Sequence, residues 1–280
     1  MLQTKIYKAG LQRKGFLRLL KEMFSDLLSS RDLAWRLAVR DIKGMYRQSL
    51  LGLFWAFFTP LMNTLIWVFL DKSGVVKFSS PDIPYPVYVF TGTMLWSILI
   101  ESINSPLLQA QAAQSIISKI NIPKEALILS GIYKVVFNSG IKLLLVMAAI
   151  VLMGVFPDWT IALFPLALCS LILFGLSIGL VLTPVGLLYT DVGRALPMLM
   201  QFLMYFSPVV YVVPKTGRIG PIIEMNPITP IIEIARNLLT GYPSDHILYY
   251  LLINVVLLVI LFLGWILFRV SIPVIVERLS

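Results

Sequence analysis

The sequence predicts an all-α polytopic membrane protein with six transmembrane helices, an N-terminal interfacial amphipathic helix and short outer helices between spans five and six. Composition is the first reason: 58% of the 280 residues are hydrophobic and only 13% are charged. Soluble domains are about half apolar and about a quarter charged. The second reason is that several uncharged runs reach 18 residues or more, the length that crosses a bilayer.

The charged residues separate six candidate spans. The first span, LLGLFWAFFTPLMNTLIWVFL, has no charge and suits a hydrocarbon core of about 30 Å. We predict one transmembrane domain over residues 1–280, in which a cytoplasmic segment (1–48) precedes the six-helix part (49–270) and a cytoplasmic tail (271–280). The spans are expected over 50–70, 84–105, 127–153, 160–188, 195–213 and 247–268.

The distribution of Lys and Arg predicts the orientation. If the N-terminus is cytoplasmic, the inner segments carry 16 of the 23 Lys and Arg residues and the outer segments carry 5. Cytoplasmic loops are enriched in these residues, so both termini are expected in the cytoplasm. The net charge of +9 then reflects topology, and no nucleic-acid partner is expected because the basic residues flank spans.

Residues 31–48 have the period of an amphipathic helix. Such a helix lies on an anionic inner leaflet with its apolar face in the lipid, and anchoring alone would explain it. The apolar face comprises Trp35, Val39, Ile42 and Tyr46, and the basic face comprises Arg36, Arg40, Lys43 and Arg47.

The stretch SKINIPKEALILSG (118–131) predicts a second cytoplasmic element between spans two and three. Pro123 follows Ile122 and precedes one cation and one anion, Lys124 and Glu125. A protruding turn of this composition suits docking into a groove on a soluble partner. The same residues are also compatible with a plain loop.

Polar residues recur every four positions along the third span. They are Ser130, Lys134, Asn138 and Lys142. Intramembrane cations usually face a bundle interior or a wet cavity, so we expect both lysines, with Asn138 between them, to line the inner part of a path for an anionic group. Snorkelling toward the inner headgroups is the alternative for the lysines, and Glu101 is an alternative ion-pair partner.

Aromatic residues are dense in and near the first two spans. Most of them suit lipid anchoring or helix packing, and stacking of sugar rings on aromatic faces is the functional alternative. The candidates for a substrate path are Phe54, Trp55, Phe58, Tyr85, Tyr88 and Trp96, together with Tyr205 in the fifth span.

The stretch NPITPIIEIARNLLTG (226–241) predicts a short amphipathic helix on the outer side. Thr229 is the expected cap, Pro230 falls in the first turn, and Gly241 is the expected stop. Glu233 and Arg236 are predicted to lie off the apolar face. The helix is too short to span a bilayer, so it rests on headgroups or forms a re-entrant hairpin at the outer mouth of a pathway.

Several catalytic motifs are absent from the sequence. There is no G-x-x-x-x-G-K-[ST] phosphate loop, no H-E-x-x-H or G-x-S-x-G motif, one histidine and one cysteine. We therefore expect no enzyme, no metal and no cofactor in this chain. A lipid-processing transferase that uses Asp or Glu stays open.

The run RDIKGMYRQSLLGLFWAFFTPLM (40–62) resembles the permease subunits of type-2 ABC exporters that move O-antigen, capsule or teichoic-acid polysaccharides. Further similarities are YTDVGRALPMLMQFLMYFSPVVY (189–211) and the Asn226–Pro227 pair with the helix that follows. The family pattern R-D-[IL]-K-x-x-Y-[RK]-x-S-x-L-G-x-x-W is matched by Arg40, Asp41, Lys43, Tyr46, Arg47, Ser49, Leu51, Gly52 and Trp55.

The resemblance implies a function and partners. Residues 121–125 (Asn121, Ile122, Pro123, Lys124 and Glu125) would form the helix that docks on a separate ATPase, which would hold ATP and Mg. Two copies of the chain and two ATPases would export a polyprenyl-pyrophosphate-linked polysaccharide across the bacterial plasma membrane. The outer gate would comprise Asn226, Pro227, Pro230, Glu233 and Arg236.

Two other functions remain open at this point. A type-2 ABC exporter of drugs or other small hydrophobic molecules would share the architecture. A membrane enzyme of lipid-linked sugar metabolism would need a carboxylate cluster at one membrane face, which the scattered acidic residues do not predict.

Overall fold

The computed structural model describes residues 16–47, 54–74, 83–117, 122–213, 219–242 and 246–279. This part of the chain consists of ten α-helices and one 3-10 helix (Trp159–Leu163), and it contains no strand, so the all-α prediction is confirmed. The α-helices are α1 (Phe16–Ser29), α2 (Arg31–Arg47), α3 (Phe54–Lys72), α4 (Tyr85–Ile117), α5 (Glu125–Leu152), α6 (Phe164–Leu188), α7 (Thr190–Tyr205), α8 (Ile219–Glu224), α9 (Ile228–Thr240) and α10 (Ile247–Leu279).

In the described part of the chain, two helices and not one precede the first span. The helix predicted over 31–48 is present as α2, but α1 was not predicted. Helix α2 packs against α5, and its residues Ala34 and Ala38 are fully buried. Trp35 is 59% exposed, and its ring forms a T-shaped pair with Tyr133 of α5, with the ring centroids 5.8 Å apart. The fully buried positions Ala34 and Ala38 therefore carry small side chains, while the large Trp35 side chain stays mostly exposed.

Four helical segments of the described part are long and apolar enough to cross a bilayer: Tyr85–Gln114, Glu125–Leu152, Trp159–Leu188 and Ile247–Ile275. They correspond to predicted spans two, three, four and six, so a polytopic membrane protein is confirmed. Helix α3 corresponds to the first span. Helices α4 and α10 run on beyond the predicted ends to Ile117 and Leu279, so the predicted tail is largely helical.

The fifth span was predicted over 195–213, and its boundaries are wrong. Helix α7 has 16 residues, about 24 Å at 1.5 Å per residue, and the helix ends at Tyr205. Pro208 accounts for the early end, because a proline disfavours the helical conformation of the residue before it and cannot donate a hydrogen bond. The count of six spans therefore stays a prediction.

The centre of the fold is the crossing of α4 and α6. Gly175 and Gly179 on α6 face Ser102 and Ile103 on α4 so closely that an added Cβ would overlap Ser102 or the Ile103 carbonyl. A Gly-x-x-x-Gly spacing brings two membrane helices into backbone contact in this way. Helix α10 packs on the same helix, α6.

The two short helices between α7 and α10 are present as α8 and α9. Gly241 ends α9 with φ 79°, in the left-handed conformation that glycine adopts without strain, as predicted. The predicted cap is wrong: Thr229 lies inside the helix and donates to the Ile223 carbonyl at 2.6 Å. Asn226 accepts a hydrogen bond from the Ile228 amide at 3.0 Å instead.

Candidate functional site

An ion network joins three elements near the predicted coupling turn. Arg269 of α10 donates to the carboxylate of Glu125, the first residue of α5, and to Asp26 Oδ2 of α1 at 2.6 Å. Glu125 is 1% exposed and Asp26 is 8% exposed. One guanidinium therefore holds together the N-terminal helix, the start of α5 and the far end of α10. We call these three residues the inner node.

The predicted coupling residues lie beside the inner node. Ile122, Pro123 and Lys124 form a partly buried turn, while Asn121 lies outside the described residues. Burial lowers the pKa of the Lys124 ammonium from its usual value, because desolvation penalises the charged form, and nearby Glu125 opposes this shift. Since Glu125 is buried in its pair with Arg269, its carboxylate is directed into the protein and not to a surface.

Helix α2 is attached to α4 and α5 through a second polar cluster. Asp41 Oδ2 lies 3.7 Å from Lys134 Nζ, and Arg40 pairs with the same carboxylate at 2.8 Å. In the amide orientation that satisfies both neighbours, Gln109 donates to Asp41 at 3.2 Å and accepts from Lys134 at 3.1 Å. Lys134 thus connects to the interfacial helix at this position, whereas the prediction placed it on a path.

Two further residues of the basic face of α2 are described. Arg36 and Lys43 are exposed. The side chains of Tyr46, Arg47 and Trp55 lie outside the described part of the structure, as do residues 48–53.

Lys142 lies in an ion pair between α5 and α4. Its Nζ is 2.8 Å from Glu101 Oε2, and Asn138 donates to the other carboxylate oxygen. Lys142 is 4% exposed, while the Glu101 side chain keeps 26% exposure. The geometry corresponds to the ion-pair alternative of the sequence analysis. An anionic ligand approaching Lys142 would have to compete with Glu101.

Four of the predicted path aromatics lie in three different environments. Trp96 is 3% exposed in the core around α4. Phe54 and Phe58 stack on each other along α3 with ring centroids 5.0 Å apart. Tyr205, at the end of α7, is 46% exposed and meets the ring of Trp67 at 6.3 Å. These four side chains therefore do not form one continuous surface that could line a path.

Among the residues that the structure describes, Arg236 is the largest fully buried side chain, which contradicts its predicted place off the buried face of α9. Its guanidinium carbon lies 3.7 Å from the centre of the Tyr88 ring, and its Nη2 donates to the carbonyls of Pro208 and Val209, both at 2.8 Å. Helix α9 packs against α4, α6, α10 and the 3-10 helix, so nearly its whole circumference is covered. A cation can be buried there because carbonyls and a ring face replace water.

The other predicted gate residues lie at or near the junction of α8 and α9. Asn226 also donates to the Phe206 carbonyl at 2.9 Å and to Ser207 Oγ at 3.0 Å, which joins α9 to the end of α7. Pro230 is buried in the first turn of α9, Pro227 is exposed, and Glu233 is half-buried.

Three groups of residues that the structure shows to matter were not predicted from the sequence. Asp26 lies on the unpredicted helix α1, and the amphipathic period of FLRLLKEMFSDLLS was the available signal. Gly175 and Gly179 had a recognisable Gly-x-x-x-Gly spacing. Gln109 had no signal, because its partners come from α2 and α5, which are distant in sequence from α4.

The chain belongs to the ABC-2 type transporter family, whose sequence profile matches residues 32–240. The match extends from α2 through the inner node's Glu125 and the α4–α6 crossing to the end of α9. It therefore covers both polar clusters of α4 and α5 and the buried arginine.

The curated relatives include O-antigen export permeases and a polysialic acid transport protein. The O-antigen export system permease protein RfbA of Myxococcus xanthus is 24% identical over 195 residues, 70% of this chain and 72% of the relative. The protein of the same name from Klebsiella pneumoniae is 26% identical over 226 residues, 75% of this chain and 83% of the relative. The polysialic acid transport protein KpsM of Escherichia coli is 25% identical over 240 residues, 83% of this chain and 91% of the relative.

Proposed function

We propose that this chain is the membrane-spanning subunit of an ATP-driven exporter that moves a polyprenyl-pyrophosphate-linked polysaccharide of the O-antigen, capsule or teichoic-acid type across the bacterial plasma membrane. The observation that carries the proposal is the similarity to O-antigen and polysialic acid permeases over 70% to 83% of the chain. The four apolar helices of bilayer length support a multi-pass membrane protein. The excess of Lys and Arg in the inner segments supports cytoplasmic termini.

The working assembly in this proposal is two copies of the chain with two ATPase subunits. ATP and Mg bind in the ATPase, since the sequence carries no phosphate loop. The turn at 121–125 docks on the ATPase. Nucleotide can drive transport only if it favours one permease conformation over another. The turn must therefore transmit the movement of the ATPase to the spans.

The inner node supplies a physical connection for this step. A displacement of the turn moves Glu125. Because Arg269 of α10 is bonded to both Glu125 and Asp26, the same displacement moves α10 and α1. The Arg269 guanidinium donates one charge-assisted hydrogen bond to each of two carboxylates, and such bonds are short and directional, so they transmit a displacement better than an exposed lysine pair does.

The substrate path and outer gate remain proposals on the same residues. Lys134 and Lys142 would offer cations to the pyrophosphate, which requires the phosphate to displace Asp41 and Glu101 as their partners. The exposed aromatic Tyr205 could contact the sugar chain. The hairpin of α8 and α9 would shield the outer mouth.

Copurification tests the proposal. The tagged chain is isolated from native membranes and assayed in lipid for ATP hydrolysis with and without lipid-linked glycan. We expect a stoichiometric ATPase subunit whose activity rises with the glycan. Lys124→Ala should reduce ATPase recovery, whereas the matched change Lys72→Ala, an exposed lysine at the other end of a span, should not.

Other results would contradict the proposal in distinguishable ways. Stimulation by small hydrophobic molecules and not by the glycan lipid would indicate a drug exporter. A chain that purifies without an ATPase and processes a lipid-linked sugar would be an enzyme.

A further inference from the structure

The chain between α7 and α8 includes a non-helical strip, residues 208–211, that is bonded to side chains of other elements. Four consecutive carbonyls of this strip each accept a hydrogen bond from a side chain of α4 or α9. Arg236 Nη2 donates to Pro208 and Val209 at 2.8 Å, Tyr85 Oη donates to Val210 at 2.9 Å, and Tyr88 Oη donates to Tyr211 at 2.9 Å.

The fit between the strip and α4 leaves no free space. Val209 is fully buried, and Gly92 of α4 lies so near that an added Cβ would overlap the Val209 carbonyl and the Arg236 guanidinium. The Tyr88 ring, 8% exposed, supports the guanidinium from the other side. We call Tyr85, Tyr88, Gly92 and Arg236 the strip clamp.

Separating the strip from α4 would be costly for a specific reason. Non-helical backbone inside a membrane protein is tolerated only where protein groups or a wet cavity satisfy its polar atoms. Peeling the strip away would leave four carbonyls without donors and would remove the ring and both acceptors from a buried guanidinium. Buried polar groups that lose their partners are strongly disfavoured.

We infer that α4, the strip and α9 move as one rigid body during transport, and that Arg236 is the positioning residue that holds this body together. Opening of the outer side then takes place along another boundary of the body, not between α4 and the outer hairpin. This inference rests on the proposed transport function, because it concerns movement during transport. The contacts from which it is argued do not depend on which substrate is carried.

Thiol accessibility tests the inference on the intact complex in lipid nanodiscs, where both faces are open to reagent. A Val209→Cys reporter is placed in a Cys169→Ser background, and labelling by a membrane-impermeant maleimide is timed with and without ATP turnover. We expect slow labelling in both states. Arg236→Gln should raise the labelling rate about tenfold or more, because local opening sets the protection of a buried site.

Graded variants separate the role of Arg236 from general misfolding. Tyr88→Phe keeps the ring beneath the guanidinium and loses the hydroxyl that donates to the Tyr211 carbonyl, so it should raise labelling less than Arg236→Gln. Arg236→Lys keeps the charge without the planar fork and should restore part of the protection. A Met225→Cys reporter, at a residue that is 76% exposed, should label equally in every variant.

Two results would overturn the inference. Fast labelling of Val209→Cys during ATP turnover in the chain with an intact clamp would mean that the strip peels from α4. Unchanged labelling in Arg236→Gln would mean that Arg236 does not hold it. The labelling rates without ATP turnover are compared in the absence of glycan. An incorrect substrate would therefore leave these rates unchanged, and it would show only in the ATPase assay, where the glycan would fail to stimulate hydrolysis.

Discussion

Arg236, Glu125 and Lys142 are 1%, 1% and 4% exposed, and each has a partner of matching chemistry. Glu125 and Lys142 are held in ion pairs, whereas Arg236 is held by two carbonyls and an aromatic face. In such sites, removing one partner of a pair is worse than removing both, because the remaining charge is left buried. This asymmetry makes each role testable by substitution.

Lys142 and Glu101 provide the first test. We expect Lys142→Met to lower the free energy of unfolding by about 3 kcal/mol, the low end for a broken buried pair, because the Glu101 side chain keeps 26% exposure. The double variant Lys142→Met with Glu101→Gln should lose less unfolding free energy than Lys142→Met alone. Denaturant unfolding in detergent, followed by tryptophan fluorescence, measures both.

The same variants decide whether Lys142 serves transport. If the double variant is stable and exports glycan at the normal rate with unchanged substrate choice, Lys142 does not line the path. A stable double variant with impaired export would support the path hypothesis. A single variant no less stable than the double would contradict the ion-pair interpretation.

Arg269 provides the second test, at the inner node. Arg269→Met leaves Glu125 and Asp26 without their shared cation, and we expect a loss of about 3–5 kcal/mol in unfolding free energy. Arg18→Met removes an exposed pair with Glu22 and should cost about 0.5 kcal/mol or less. Arg269→Lys should fold yet hydrolyse ATP with weaker coupling to export, because a single ammonium cannot bridge both carboxylates as the guanidinium does.

At the level of helices, the sequence was most informative where one pattern decides the structure. Long apolar runs located α4, α5, α6 and α10, and Gly241 located the end of α9. The pattern failed at 206–213, where apolar residues continue but the chain is bonded through its carbonyls to side chains and not to a helix. Hydropathy indicates which residues are buried, and it does not show which groups form hydrogen bonds with the backbone.

The candidate site was less predictable because its contacts join residues distant in sequence. Arg236 looked like a polar-face residue because the α9 helical wheel contains no information about α4. Its partners Tyr88 and Val209 come from two other segments. Glu125 looked like a docking residue, and only its pairing with Arg269, 144 positions later, shows that it is internal.

The α4–α6 crossing gives a prediction at the same scale. Gly179→Ala would place a methyl group against the Ile103 carbonyl, and we expect a loss of about 1–3 kcal/mol in unfolding free energy from overpacking. Gly140 on α5 is the matched control, because an added Cβ there meets nothing within 4 Å. Gly140→Ala should be neutral or slightly stabilising, as alanine is the better helix former. Equal effects of the two changes in thermal unfolding would contradict the close crossing.

At the level of the whole molecule, segments that were predicted on the same side of the membrane contact each other. Spans that alternate in direction require this arrangement. Asp26, Glu125 and Arg269 were all assigned to the inner side, and they meet in one network. Gly241 and Asp158 were assigned to the outer side, and they approach each other at the end of α9. The grouping separates two faces, and the Lys and Arg distribution predicts which face is cytoplasmic.

Thiol labelling across α3 tests both the orientation and the first span. In a Cys169→Ser background, Met45→Cys on α2 and Ser73→Cys after α3 introduce thiols at exposed positions on either side of this helix. In right-side-out vesicles an impermeant maleimide should label Ser73→Cys and spare Met45→Cys, and inside-out vesicles should give the reverse, because positive charge is retained in the cytoplasm. An exchanged pattern would reverse the orientation. Labelling of both thiols from the same side would mean that α3 does not cross the membrane, and the count of six spans would then be wrong.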